Sequence, residues 1–131
     1  MLYYTSLVTL ASLLFYFWLT IDVGRARIQL KVAAPATTGD PLFERLYRIQ
    51  MNTLEWLPIY LPSLWLFAFY VSDFGAALLG LLWIVGRFLY RRGYREAPEK
   101  RSLGFGVQAL AVAVLLFGAL IDILARLVLG D

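Results

Sequence analysis

Long stretches without a charged residue constrain this chain more than any other feature. Residues 2–21, 56–71, 74–86 and 103–121 contain no charged side chain. A helix needs about 20 mainly apolar residues to cross the hydrocarbon core of a bilayer. Apolar residues make up 61% of the chain and charged residues 16%, whereas soluble domains have about 45–50% and about 25%. The sequence therefore predicts an integral membrane protein.

The order of these stretches predicts an all-α fold in which four membrane-spanning helices form one bundle. A chain of 131 residues has room for one domain. The first stretch is too long and too weakly flanked by basic residues for a cleaved signal peptide. Pro58 and Pro62 lie inside the second span and predict a kink there. The predicted spans are about 2–31, 41–71, 74–94 and 98–128.

Basic residues are distributed unevenly between the predicted loops. All of the 12 Lys and Arg residues except Arg126 lie in or beside the first and third connections. Cytoplasmic loops of membrane proteins carry such an excess of positive charge. We therefore expect these two loops to be cytoplasmic and both termini to lie outside. In a bacterium the membrane would be the cell (inner) membrane.

Polar residues at the start of the second span form the first candidate site. Arg48, Asn52 and Glu55 have the spacing i, i+4 and i+7, which places them on one helical face, and Gln50 lies among them. Ionisable groups are costly at membrane depth, so they indicate a functional site. The simpler alternatives are a structural ion pair between Glu55 and Arg48 or Arg87, and an interhelical hydrogen bond from Asn52.

A second cluster lies at the end of the third span. Arg87, Tyr90 and Tyr94 share one helical face, and Arg101 follows Pro98 near the start of the fourth span. The second helix enters the membrane where the third leaves it, so the two clusters can meet in a cationic pocket that opens sideways to lipid. Taken singly, the tyrosines are also typical of a membrane-interface belt, and Arg101 of a cytoplasmic loop.

The chain contains no cysteine and no histidine. This composition excludes thiol catalysis by the protein, disulfides, and ordinary zinc or haem sites. We therefore expect no metal, and we expect no nucleic-acid partner. At the far end of the fourth span, Asp122 and Arg126 have i, i+4 spacing and are predicted to pair.

Two motifs resemble the signature regions of the MAPEG family, the membrane-associated proteins in eicosanoid and glutathione metabolism. They are VAAPATTGDPLFERLYRIQMNTLEWLP (32–58) and RFLYRRGYREAPEKR (87–101). Within the family the chain is most similar to the subgroup of microsomal glutathione transferases and cysteinyl-leukotriene synthase. Chain length, number of spans and both motifs correspond, so the resemblance covers nearly the whole chain.

The resemblance implies a homotrimer that binds glutathione between adjacent subunits. Arg101 matches the arginine that holds the glutathione sulfur as thiolate, and would be catalytic. Arg27 and Gln50 match positions contributed by the neighbouring subunit. Ile28 stands where the leukotriene synthase has a second arginine, which is implicated as a proton donor, and Trp56 stands where a tyrosine contacts glutathione. The full set implied to bind glutathione is Arg27, Arg48, Gln50, Asn52, Glu55, Trp56, Arg87, Tyr90 and Tyr94.

The leading hypothesis is a membrane glutathione transferase, with glutathione peroxidase activity as a further expectation. Its second substrate would be a lipophilic electrophile or lipid hydroperoxide that enters from the membrane lipid. The alternative is a non-catalytic protein that binds lipid or fatty acid, like the lipoxygenase-activating member of the family. A channel or transporter subunit is disfavoured, because the sequence has no paired broken helices and no charged pore ring.

Overall fold

The computed structural model describes residues 1–130 and consists of four long helices. Helix α1 spans Tyr3–Leu30, α2 Pro41–Tyr70, α3 Asp73–Glu96 and α4 Ser102–Leu129. A 3-10 turn, Pro98–Arg101, separates α3 from α4, so α4 begins four residues beyond the position expected from Pro98. Residues 1–130 contain no strand, and the predicted all-α four-helix fold is confirmed.

Side chains that accept hydrogen bonds from free backbone N–H groups define where the helices begin. Asp40 accepts from the N–H groups of Leu42 (2.9 Å) and Phe43 (3.1 Å) at the start of α2. Ser72 caps α3 in the same way. The start of α1 is capped from another helix, because the Asp73 carboxylate accepts from the N–H groups of Tyr4 and Thr5 at 3.3 and 2.9 Å. Short local motifs therefore set α2 and α3, whereas α1 depends on tertiary contact.

Helices α2 and α3 form the middle of the bundle, and α1 and α4 pack on opposite sides of them. The backbones of α3 and α4 approach closely at two glycines. A Cβ on Gly86 would lie 2.6 Å from the backbone nitrogen of Gln108, and one on Gly104 would overlap the backbone of Tyr90. Small residues at such crossings allow membrane helices to pack. The close crossing brings the polar end of α3 against the start of α4.

At the far end of the bundle Arg126 joins α4 to α2, because its Nη2 donates to the Tyr70 carbonyl at 3.0 Å. Arg126 Nε donates to the Asp122 carboxylate at 2.6 Å, which confirms the predicted pairing. In the interior, the rings of Tyr60 and Trp83 are stacked with centroids 4.0 Å apart, and the hydroxyl groups of Tyr60 and Ser12 are 2.8 Å apart. Polar side chains in the core are therefore joined across helices.

Three segments have the length and apolar character needed to cross a membrane: α1, α3 and Pro98–Leu129. Helix α2 is not among them, and its first half contains Glu44, Arg45, Arg48 and Glu55. It is nevertheless 30 residues long, continues through Pro58 and Pro62, and packs against the other three helices. The crossing of the membrane by α2, the span boundaries and the orientation of the loops stay predictions.

Candidate functional site

The exposed polar face of α2 contains an ion pair. Arg48 Nη2 lies 3.3 Å from Glu55 Oε1, and the two side chains are 51% and 56% exposed. Seven residues correspond to about 10 Å along a helix, so the two side chains extend toward each other past Asn52. The sequence allowed either Arg48 or Arg87 as the ion-pair partner of Glu55. In the structure the partner is Arg48.

Arg87 is completely buried and joins α3 to α2. Its Nη1 donates to Asn52 Oδ1 at 2.9 Å, and its Nη2 donates to Thr53 Oγ1 at 2.6 Å. The guanidinium carbon also lies 4.4 Å from the centre of the Tyr90 ring, in cation–π geometry. Hydrogen bonds to a charged group are stronger than neutral ones. Arg87 therefore determines the position of Asn52 on the exposed face.

A row of aromatic and cationic side chains connects Arg87 to the start of α4. The rings of Tyr90 and Tyr94 meet edge to face at 5.5 Å, and the Arg101 guanidinium lies 5.3 Å from the Tyr94 ring centre. Phe105 lies 6.3 Å from Tyr90 and 5.6 Å from Trp56, measured between ring centroids. The two predicted clusters thus form one continuous row of contacts from α2 across α3 to α4, in which Arg87 and Tyr90 are buried.

Arg101 stands at the edge of a cleft. Its Nη1 donates to the carbonyl of Pro98 at 2.5 Å, which closes the 3-10 turn around it. Its other guanidinium N–H groups make no hydrogen bond within residues 1–130. Together with Ser102, Phe105 and Gly106, Arg101 lines a cavity of about 380 Å³. The Arg101 guanidinium, which has unused N–H donors, therefore borders a cavity that the Phe105 ring and Gly106 also line.

Two predicted residues lie apart from this surface in the single chain. Arg27 donates to the carbonyls of Val32 (3.3 Å) and Ala36 (2.7 Å) and so holds the first loop. Gln50 faces α1, where its amide donates to the Thr20 hydroxyl at 3.1 Å. Neither residue contacts the row that runs from Asn52 to Arg101.

Three side chains of the site were not predicted from the sequence: Thr53, Phe105 and Gln108. Threonine and phenylalanine are ordinary in apolar helices, so their types were not informative. Gln108 is completely buried against Gly86, and neither amide atom has a partner among the described residues. The sequence indicated Gln108 only in that it is the one amide side chain in the apolar stretch 103–121. Residues 1–130 also contain no group of three or more His, Cys, Asp or Glu residues that could hold a metal ion.

Comparison with known proteins identifies related chains. The sequence model of the MAPEG family matches residues 5–121. An uncharacterized protein of Synechocystis is 48% identical over 96% of this chain and 92% of its own length. Human microsomal glutathione S-transferase 2 is 44% identical over 79% of this chain and 71% of its own length. Guinea-pig (Cavia porcellus) leukotriene C4 synthase is 37% identical, covering 91% of this chain and 79% of its own length.

The family match covers most of the chain, and the relatives align with it over most of their own lengths. The four-helix fold and the polar surface of α2, α3 and α4 agree with the resemblance seen in the two motifs. This chain belongs to the MAPEG family of integral membrane proteins.

Proposed function

We propose that this protein is a glutathione transferase that joins glutathione to a lipophilic electrophile from the bilayer. The names of two relatives, a microsomal glutathione S-transferase and leukotriene C4 synthase, support glutathione-dependent transfer at the level of the family. The observation that carries the proposal is the row of contacts that runs from Asn52, on the same helical face as the Arg48–Glu55 pair, to Arg101. Together with that pair it offers the cationic, anionic and aromatic groups that one glutathione molecule would need.

The two ends of glutathione suit the exposed face of α2. Glutathione has two carboxylates, an ammonium group and a thiol. The Arg48–Glu55 pair is half exposed in the single chain, so a ligand can reach both side chains. The ligand would replace their contact, with Arg48 donating to a carboxylate and Glu55 accepting from the ammonium. Asn52, which Arg87 holds in place, supplies a further polar contact.

The chemistry would take place at Arg101. A free thiol has a pKa of about 8.5, so only a few per cent is thiolate near neutral pH, and the thiolate is the nucleophile. Lowering the thiol pKa by about two units takes roughly 2.7 kcal/mol. The unused N–H donors of Arg101 can supply charge-assisted hydrogen bonds of that size. The thiolate then forms a carbon–sulfur bond, and the leaving group or opened epoxide oxygen takes up the charge and later a proton.

The same thiolate supports peroxidase activity, which we include in the proposal. Attack on the outer oxygen of a lipid hydroperoxide breaks the O–O bond and releases the lipid alcohol. A second glutathione then displaces hydroxide from the oxidised sulfur and forms glutathione disulfide. The roles of Tyr90, Tyr94 and Trp56 would be to shape the space that the sulfur and the acyl chain share.

A homotrimer completes the proposed site. Arg48 and Glu55 are exposed on a helix that we expect inside the membrane, and charged groups at such positions normally face protein or water. A neighbouring subunit would cover this face. Arg27 and Gln50 lie away from the row in their own chain, which suits residues that serve the neighbour's site. We place the first and third loops, and hence glutathione, on the cytoplasmic side.

The test is an ultraviolet difference titration of the detergent-solubilised protein with glutathione near neutral pH. We expect a saturable thiolate absorbance that Arg101→Ala abolishes. Lys100→Ala is the matched control, because it removes the adjacent exposed charge, which pairs with Glu96, and should leave the signal intact. If the protein binds fatty acid but no glutathione, the proposal is wrong. The alternative, a non-catalytic lipid-binding protein, would then take its place.

A further inference from the structure

We propose that the crevice between α1 and α3 is a binding site for one anionic phospholipid of the surrounding leaflet. This site is separate from the proposed glutathione surface. Tyr90 and Tyr94 point toward α4, as their contacts with Phe105 and Arg101 show. Phe88 instead contacts α1, where its ring lies 4.8 Å from that of Phe15. The two sites therefore use different faces of α3.

The headgroup would occupy a cavity of about 630 Å³ at the loop end of the crevice. Two of its charged residues are already paired, because Arg91 is 2.7 Å from Asp22 and Glu96 is 2.6 Å from Lys100. The side chains of Arg92 and Arg95 make no hydrogen bond or ion pair within residues 1–130. The cavity is lined by Trp18, Leu42, Phe88, Leu89, Arg91, Arg92, Arg95 and Glu96.

Two unpaired guanidinium groups make this cavity a site for phosphate. The planar fork of arginine matches the oxygens of a phosphate bidentately, and it is more weakly hydrated than an ammonium group. Basic pockets between membrane helices on the cytoplasmic side bind anionic headgroups. A zwitterionic lipid is less suitable, because its own cation would lie against Arg92 and Arg95.

An apolar groove continues from the cavity and would hold an acyl chain. The groove shares Trp18 and Phe88 with the cavity, has a volume of about 410 Å³, and is lined by Ala11, Leu14, Phe15, Trp18, Leu81, Ile84 and Phe88. From Arg92 to Leu81 the helix rises about 16 Å. One leaflet contributes about 15 Å of the hydrocarbon core. The groove itself accounts for about 10 Å of this rise, from Phe88 to Leu81, and would hold about two-thirds of the acyl region of a single leaflet.

The walls of the crevice are already fixed without a lipid. The Arg91–Asp22 ion pair joins α3 to α1 beside the cavity, and the Arg91 guanidinium lies 4.2 Å from the Trp18 ring centre. Trp18 and Phe88 are in ring contact at 5.7 Å. Most ligand sites are largely formed before binding. The proposed lipid would fill an existing space, so its binding requires little reorganisation.

The experiment compares two lipids that differ in headgroup charge. The delipidated full-length protein is titrated with dioleoyl phosphatidylglycerol or dioleoyl phosphatidylcholine, and bound lipid is counted by native mass spectrometry. We expect one phosphatidylglycerol per chain to bind in preference. The double variant Arg92→Gln/Arg95→Gln should lose about 25-fold in affinity for phosphatidylglycerol, since each arginine near the surface contributes about fivefold.

Lys31→Gln is the matched control, because Lys31 is exposed at the same end of the bundle and lines no part of the crevice. It should leave the affinity unchanged. Ala11→Phe, which fills the groove, should reduce binding while circular dichroism shows an unchanged helix content. Equal affinity for the two lipids, or equal losses in Lys31→Gln and the arginine variant, would overturn the proposal. The lipid affinities of the protein and its variants can be measured whether or not the protein binds glutathione.

Discussion

The hydrogen bond between Arg87 and Thr53 leads to a quantitative prediction about how the site is held. Arg87 is completely buried, and its guanidinium group has two described acceptors, Asn52 and Thr53. Thr53→Val removes one acceptor and keeps a branched side chain of similar shape. A hydrogen bond to a charged group contributes about 1.5–3 kcal/mol, and a buried donor without a partner costs a similar amount. We expect Thr53→Val to lower the free energy of unfolding by about 2 kcal/mol.

A double-mutant cycle separates this bond from general packing effects. Arg87→Met removes the charge and leaves an unbranched apolar side chain, so Thr53→Val should cost little in that background. We expect a coupling free energy of about 1.5–2 kcal/mol between the two residues. Hydrogen bonds between membrane helices average only about 0.6 kcal/mol in such cycles. A value well above that average would reflect the buried charge.

Reversible unfolding in mixed micelles of sodium dodecyl sulfate and mild detergent, followed by circular dichroism, gives the four free energies. Thr20→Val combined with Gln50→Leu is the matched control, because it tests a neutral and exposed hydrogen bond of 3.1 Å. That pair should show a coupling of about 0.6 kcal/mol or less. A Thr53–Arg87 coupling no larger than the control value would refute the assignment of this hydrogen bond as a strong buried contact between α3 and α2.

Four further substitutions have defined outcomes. Arg101→Ala should remove most turnover in a steady-state conjugation assay while glutathione affinity, measured by calorimetry, falls only modestly; an equal loss of affinity would mean that Arg101 only grips the ligand. Ile28→Arg is tolerated sterically, since Ile28 is 82% exposed, and should raise the rate with epoxide substrates; no change would discard the idea of a missing proton donor. Gly104→Ala would press a methyl group on the Tyr90 backbone and should cost about 1–3 kcal/mol in unfolding experiments. Asp73→Ala removes the cap of α1 and should cost about 0.5–2 kcal/mol by the same measurement.

The residues on one helical face of the site could be predicted because the helix repeat is regular. Arg48, Asn52 and Glu55 lie one turn apart, so their common face follows from sequence spacing. The sequence did not determine which residues pair across helices. The sequence left Glu55 open to either Arg48 or Arg87, and the structure pairs it with Arg48. Arg87 turns instead to Asn52 and Thr53, a choice that depends on where α2 crosses α3.

Several features of the site gave no usable signal in the sequence. Phe105 and Thr53 are common residues in apolar helices, and only their neighbours in space make them part of the site. The position of Gln108 depends on Gly86, because a side chain at that glycine would collide with the α4 backbone. Asp73, the first residue of α3, also caps a helix that begins 70 residues earlier in the chain. Such contacts join residues that are distant in sequence.

The sequence by itself determined that this protein is a bundle of four long helices with a polar cluster on α2 and another at the end of α3. Uncharged stretches of helical length must be buried in lipid or protein, and regular spacing assigns side chains to a face. Tertiary structure alone decided which groups meet: Arg87 with Asn52, Arg101 with Tyr94, and Arg91 with Asp22. The physical reason is that hydrogen bonds and ion pairs act over a few ångströms, and only the packing of the helices sets distances on that scale.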